Sequence, residues 1–157
     1  MLKLLPARVA IDRQAKFRFA IVASEYNAKF VDGLVEAARR EIAAAMPGAT
    51  VSIRRVPGAF EVPFAVQEAV RDAARVDAVI AFGVILQGKT AHADLIAGSV
   101  TEALMGIMLE TRVPVIHGVL HCSPAQARVR CLQARGNRGT EAARVAMQMA
   151  KFRRPRR

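Results

Sequence analysis

Asp77-Ala-Val-Ile-Ala-Phe-Gly-Val-Ile85, running straight into Leu86-Gln-Gly-Lys-Thr90, is the stretch that decides the fold. An unbroken apolar run leaves a strand no polar face to turn to water, so both faces must be covered, as in a parallel sheet flanked by helices. The polar loop ends the strand, and a helical period takes over across residues 91–110. Leu95, Ile96, Val100, Leu104, Ile107 and Met108 form the stripe expected to be buried.

The same alternation extends in both directions. Residues 17–23 read as a first strand, and Asn27 stands where a side chain would cap the next helix. Phe30, Val31, Leu34, Val35, Ala38 and Ile42 recur on that helix with helical period, and charges take its other face. After Pro47-Gly48 come a strand at residues 50–55, the turn Val56-Pro57-Gly58, and a helix at 61–74 that tolerates Pro63 in its first turn. A fourth strand is predicted at 114–120, then a helix opened by the capping box Ser123-Pro124-Ala125-Gln126. Gly136-Asn137-Arg138-Gly139 interrupts that helix, and a last one runs over 140–152.

Strand-helix repeats of this kind give a single α/β domain over residues 17–152, a flavodoxin-like three-layer arrangement. Its sheet has four parallel strands with helices on both faces, and ligands are expected at the carboxyl ends of the strands. Residues 1–16 carry no element, and 153–157 read as a solvated basic tail.

Composition narrows the function classes. The chain has 157 residues, of which 53% are apolar and only 5% aromatic, so Ala, Val, Ile, Leu and Met build the core. No run approaches the roughly 20 apolar residues of a membrane span, and the N-terminus lacks a secretory signal, so a cytoplasmic protein without a membrane partner is expected. The formal charge of +11 and the terminal KFRRPRR raise nucleic acid as a partner. The aromatics, however, are not interleaved with the basic residues, so no nucleic-acid partner is expected, and the charge suits anionic small molecules equally well. Cys122 and Cys131 lack metal-ligand spacing and are expected as reduced thiols without a chemical role; no metal site is expected.

Chemistry concentrates in Gly83-Val-Ile-Leu-Gln-Gly-Lys-Thr-Ala-His92. Its Gly83-x4-Gly88-Lys89-Thr90 satisfies the phosphate-loop pattern GxxxxGK[ST] between strand and helix, which makes a nucleotide hydrolase a competing reading. Val84-Ile85-Leu86-Gln87 is too bulky for a backbone that must curl round a phosphate, and no later strand ends in an aspartate for magnesium. The physics of a helix N-terminus survives: Gly88, Lys89 and Thr90 are candidates to hold an anion, and His92 stands beside them as a proton-transfer group. A helix start with an incidental histidine remains the alternative.

Four segments together, Val56-Pro-Gly-Ala-Phe-Glu-Val-Pro63, Gly83 to His92, Pro114-Val-Ile-His-Gly-Val-Leu120 and Gly136-Asn-Arg-Gly-Thr-Glu-Ala-Ala143, resemble those of the lumazine synthase (riboflavin synthase beta-chain) family in the same order. The resemblance covers nearly all of the chain, from about Phe19 to Met149. It implies a cofactor-free condensation of 5-amino-6-(D-ribitylamino)uracil with 3,4-dihydroxy-2-butanone 4-phosphate, the penultimate step of riboflavin biosynthesis. An imine forms, phosphate is eliminated, and the second ring closes with loss of water.

By that resemblance His92 is the catalytic histidine, and Arg130 binds the phosphate with help from Gly88, Lys89 and Thr90. Tyr26 stacks on the pyrimidine and Asn27 follows it; Ala59, Phe60 and Glu61 hold the ribityl chain; Val84, Ile85 and Leu86 meet the pyrimidine edge. His117 replaces a frequent phenylalanine, Arg138 the usual lysine, and Ala93-Asp94-Leu95 lacks a frequent aromatic. Such departures leave a non-catalytic lumazine- or flavin-binding paralogue as the alternative.

The resemblance also implies sites shared between adjacent subunits of a pentamer, with Arg130 and His117 reaching across, residues 1–16 packing on a neighbour, and riboflavin synthase as a possible partner. The short connection Leu132-Gln-Ala-Arg-Gly136 favours a shell of 60 subunits; Pro6 argues the other way.

Overall fold

The computed structural model describes residues 6–14, 16–72 and 75–154. Four strands, β1 (Arg18–Ser24), β2 (Thr50–Val56), β3 (Ala78–Leu86) and β4 (Val115–Cys122), form one sheet in the order β2-β1-β3-β4. Every pairing is parallel. β3 is buried from Ala78 to Val84, as its unbroken apolar run requires.

Two cores follow from the period of two along each strand. On one face Phe19, Ile21, Ile80 and Phe82 pack against helix α1 (Ala28–Ala45) and helix α5 (Arg138–Arg153). On the other, Ala20, Val22, Val79 and Val119 pack against helix α2 (Val62–Arg71) and helix α3 (His92–Thr111). A short helix α4 (Pro124–Ala127) leaves β4 and widens into a π turn, Arg128–Leu132. The capping box at its start is present in full, Ser123 accepting from the Gln126 amide and Gln126 accepting from the Ser123 amide.

Several expectations are corrected. The helix expected at 61–74 begins with a tight 3-10 turn, Ala59–Glu61, and α2 ends at Arg71, where Asp72 turns extended; residues 73 and 74 lie outside the described residues. β4 runs two residues past its expected end because His121 and Cys122 still pair with Ile85 and Leu86. The last helix starts at Arg138, since Asn137 caps it by accepting from the Gly139 amide. Leu95, expected in the buried stripe of α3, is 68% exposed; Met105 and Leu109 are exposed as well. This helix is apolar nearly all round, so period alone did not say which side meets the sheet.

The basic tail is not simply solvated. Arg154 folds back and donates two hydrogen bonds of 2.6 Å to the buried Asp77 carboxylate, which also accepts from the Arg18 amide at 2.7 Å. Its guanidinium stacks 5.2 Å from the centre of the Phe17 ring, and Arg153 donates to the Val76 carbonyl. Residues 155–157 lie outside the described residues. Arg154→Ala strips a buried carboxylate of its charge partner and should cost about 2 kcal/mol, discounted because the arginine itself is over half exposed. Urea unfolding checks this; a midpoint equal to wild type would contradict it.

Residues 6–14 run over α1 and α5 of their own chain. Arg144 and Gln148 donate to the Pro6 and Ala7 carbonyls, and the Asp12 amide donates to Ala45. Among the described residues no helix is long and apolar enough to cross a membrane.

Candidate active site

The strand order places a crevice before any side chain is considered. The chain leaves β1 toward β2 on one side and leaves β3 toward β4 on the other, so the loops after β1 and β3 part at their carboxyl ends. A cleft of about 390 Å³ lies there.

The loop after β1 forms one wall. Its backbone continues the ladder with β2, Glu25 donating to the Val56 carbonyl and Tyr26 to that of Pro57. Tyr26 is thereby held with its ring 73% exposed at the cleft. Asn27 does not cap α1 with its side chain as expected. It adopts a left-handed backbone (φ 59°), which asparagine tolerates better than most residues, and its Nδ2 donates across the cleft floor to the Val84 carbonyl at 2.7 Å. The result ties the exit of β1 to the end of β3.

Ala59, Phe60 and Glu61 supply the opposite wall through their 3-10 turn, with Phe60 exposed. The floor is the end of β3, with Val84 buried and Ile85 and Leu86 half-buried. Because β3 stays extended through Leu86, Val84, Ile85 and Leu86 belong to a strand and form no phosphate-cradling loop. Gly83 instead eases close packing: a Cβ there would stand 3.2 Å from the Ala59 Cβ and 3.4 Å from the Ser24 hydroxyl, a fit that asks the Ala59 turn to give slightly. The phosphate-loop pattern is thus fortuitous.

At the third side Gly88 and Thr90 lead into α3, whose first residue is His92. No side chain caps this helix, so its first amides are left to solvent or to an anion in the cleft. Lys89 is exposed and stands outside the lining. Gly58, Ala93 and Ile96 also line the cleft; Ile96 lies one helical turn beyond His92, a spacing that would have found it.

His117, Arg130 and Arg138 do not reach this cleft. They line a separate groove of about 530 Å³ along the open edge of β4. Arg138 is paired with Glu141, and His117 Nε2 lies 2.9 Å from the Thr101 hydroxyl. Arg130 is half-buried on the π turn.

His121, given no role from sequence, stands 3.6 Å from Asp94 in the first turn of α3, beyond hydrogen-bond range, and its Nε2 is buried without a partner. Cys122 and Cys131 are free and fully buried. Burial, reinforced by the neighbouring Cys122, pushes the Cys131 thiol up to about 12 against the opposing pull of Arg130, so it stays a thiol at neutral pH. Among the described residues no three His, Cys, Asp or Glu side chains gather as metal ligands would.

Comparison with known proteins agrees with this geometry. A family model described as 6,7-dimethyl-8-ribityllumazine synthase matches residues 16–154. A protein of that name from Xanthomonas euvesicatoria is 37% identical over 139 residues, covering 87% of this chain and 90% of its own. Another, from Halorhodospira halophila, is 40% identical over 134 residues, covering 84% and 85%.

Proposed function

The chain belongs to the 6,7-dimethyl-8-ribityllumazine synthase family, and from that premise we propose how its residues divide the work. The protein is a transferase of riboflavin biosynthesis that makes 6,7-dimethyl-8-ribityllumazine. It condenses 5-amino-6-(D-ribitylamino)uracil with 3,4-dihydroxy-2-butanone 4-phosphate and releases phosphate and water.

In our reading the pyrimidine lies in the cleft against Tyr26, its edge on the backbone of Val84, Ile85 and Leu86. Asn27 holds the loop through Val84, and Ala59, Phe60 and Glu61 take the ribityl chain. The phosphate sits at the uncapped start of α3 beside Gly88 and Thr90, with Lys89 adding charge at the mouth. His92, the first residue of α3, passes protons between the amine, the ketone and the departing phosphate. Holding both reactants in one cleft replaces a bimolecular encounter by a local one.

The observation that carries this reading is the split of one expected site into two halves. The cleft offers a stacking surface, an anion seat and a histidine, while Arg130, Arg138 and His117 line a different groove on the β4 edge. A second copy docking its cleft on that edge would supply the missing arginines. The exposed Leu95, Met105 and Leu109 of α3 give such copies an apolar surface to bury. We further propose that residues 1–16, of which 6–14 run over α1 and α5 of their own chain while 1–5 and 15 lie outside the described residues, also meet the neighbouring copy, since Pro6 borders the same groove. Pentamers, assembled further into a 60-subunit shell with riboflavin synthase as a candidate partner, are our reading of the assembly; light scattering gives the mass directly.

An absorbance assay of lumazine formation tests the function. Wild type should form product, and His92→Ala should lower kcat by about one to two orders of magnitude with the fold intact. A wild type that binds the pyrimidine yet makes no product above the spontaneous rate would point to a binding paralogue.

A further inference from the structure

Gly136 takes a left-handed backbone (φ 76°), which glycine adopts without strain, and the residue after it, Asn137, is buried at 5% exposure. A buried amide needs partners at both its ends. Asn137 Nδ2 donates to the Cys131 carbonyl at 2.7 Å, and Oδ1 accepts from the Gly139 amide at 2.8 Å. Both partners are backbone groups of fixed sense, so the amide can sit only this way round. One end serves the last turn of the π helix, where carbonyls run out of helix amides to accept from. The other end caps the start of α5.

The residues so joined stand next to the two arginines of the β4-edge groove. Cys131 follows Arg130, and Asn137 precedes Arg138. Residues 132–135 between them are exposed, so the bridge holds together the two ends of an exposed loop. Aspartate and serine cap a helix as well as asparagine does, yet neither carries an N–H for the Cys131 carbonyl. The cap alone therefore does not call for asparagine here; the bridge does.

We propose that Asn137 is a positioning residue for the phosphate subsite. By tying the turn behind Arg130 to the first turn of α5, it fixes where the Arg130 guanidinium stands relative to Arg138. It acts through Arg130, which then has less freedom to lose when the anion binds. This rests on the function proposed above, with Arg130 as the phosphate ligand.

Asn137→Ser keeps the α5 cap and removes the donor, which separates the bridge from the stability of the helix. On the assembled enzyme, well below its melting temperature, it should raise the phosphate-substrate KM by about tenfold, the loss of one ordering hydrogen bond. The pyrimidine KM should stay within about twofold. Asn137→Asp should show the same split, at least as large, because its carboxylate would face the Cys131 carbonyl. The Arg130→Ala background decides whether the effect runs through the arginine. There Asn137→Ser should add less than about twofold, since the group being positioned is gone. Calorimetric titration with inorganic phosphate should repeat this pattern without turnover. An unchanged phosphate-substrate KM in Asn137→Ser, equal rises for both substrates, or a tenfold loss that persists in the Arg130→Ala background would each overturn the proposal. Absence of lumazine formation by wild type would instead sink the function itself, and the phosphate titration would still read whether Asn137 acts through Arg130.

Discussion

Arg130→Ala should raise the KM for 3,4-dihydroxy-2-butanone 4-phosphate by about 30- to 100-fold and leave the pyrimidine KM within about threefold. The magnitude is that of a charge-assisted guanidinium–phosphate pair, about 2–3 kcal/mol, at tenfold per 1.4 kcal/mol. The fold holds the backbone of this residue still. Arg130 lies on the π turn between Ala127 and Cys131, both fully buried, and the Cys131 carbonyl accepts from Asn137 Nδ2 at 2.7 Å. Gly33 of α1 allows the close approach, since a Cβ there would fall 2.3 Å from that carbonyl. An arginine anchored at its backbone loses less freedom on binding than one on a loose loop. Arg130→Lys keeps the charge but not the two-pronged geometry, and should fall between the two. If the alanine variant shows an unchanged phosphate-substrate KM, Arg130 does not bind the phosphate.

Gly139→Ala should be the most damaging single substitution for stability. A Cβ at Gly139 would fall 2.0 Å from the Leu34 carbonyl, a backbone atom in mid-α1 that cannot rotate away. α1 and α5 share the core of one sheet face, so separating them opens contacts along both helices. A cost of about 3 kcal/mol or more is expected, the upper part of the overpacking range, which lowers Tm by roughly 6–12 °C for a chain of this size. The damage would reach function as well. Asn137 couples the two regions, accepting from the Gly139 amide at 2.8 Å while donating to the Cys131 carbonyl beside Arg130. Calorimetry or a urea titration decides the point; a Tm within a degree or two of wild type would refute the packing argument.

The fold was legible because its signals are local. Apolar runs such as that of β3, the periods of α1 and α3, the Pro-Gly breaks and the Ser123 capping box each act within one element, and together they admit few architectures besides a doubly covered parallel sheet. Errors fell where a distant partner decides. Asn27 reads as a cap by type and position, but the Val84 carbonyl, brought near only when β1 and β3 pair, takes its side chain. Arg154 reads as tail, yet Asp77 lies at the strand start it folds back on. Leu95 reads as core on a helix whose apolar residues occupy nearly every side.

The residues of the candidate site were legible for a related reason. Gly83-to-His92 and Val56-to-Pro63 are contiguous, and each keeps its chemistry in one strand-to-helix turn, so His92, Thr90 and the Ala59–Glu61 turn could be named from order along the chain. What the chain order could not say is which of them face one another. The sheet order β2-β1-β3-β4 decided that, opening the cleft between the ends of β1 and β3 and leaving β4 as a free edge. Tyr26, Glu61 and His92 thus share one cleft, while His117, Arg130 and Arg138 line another groove. The sequence by itself determined the elements and the chemical inventory, because propensity and period act between neighbours in the chain. Only the tertiary structure decided the grouping, because strand pairing and face are set by burial between segments far apart in the chain.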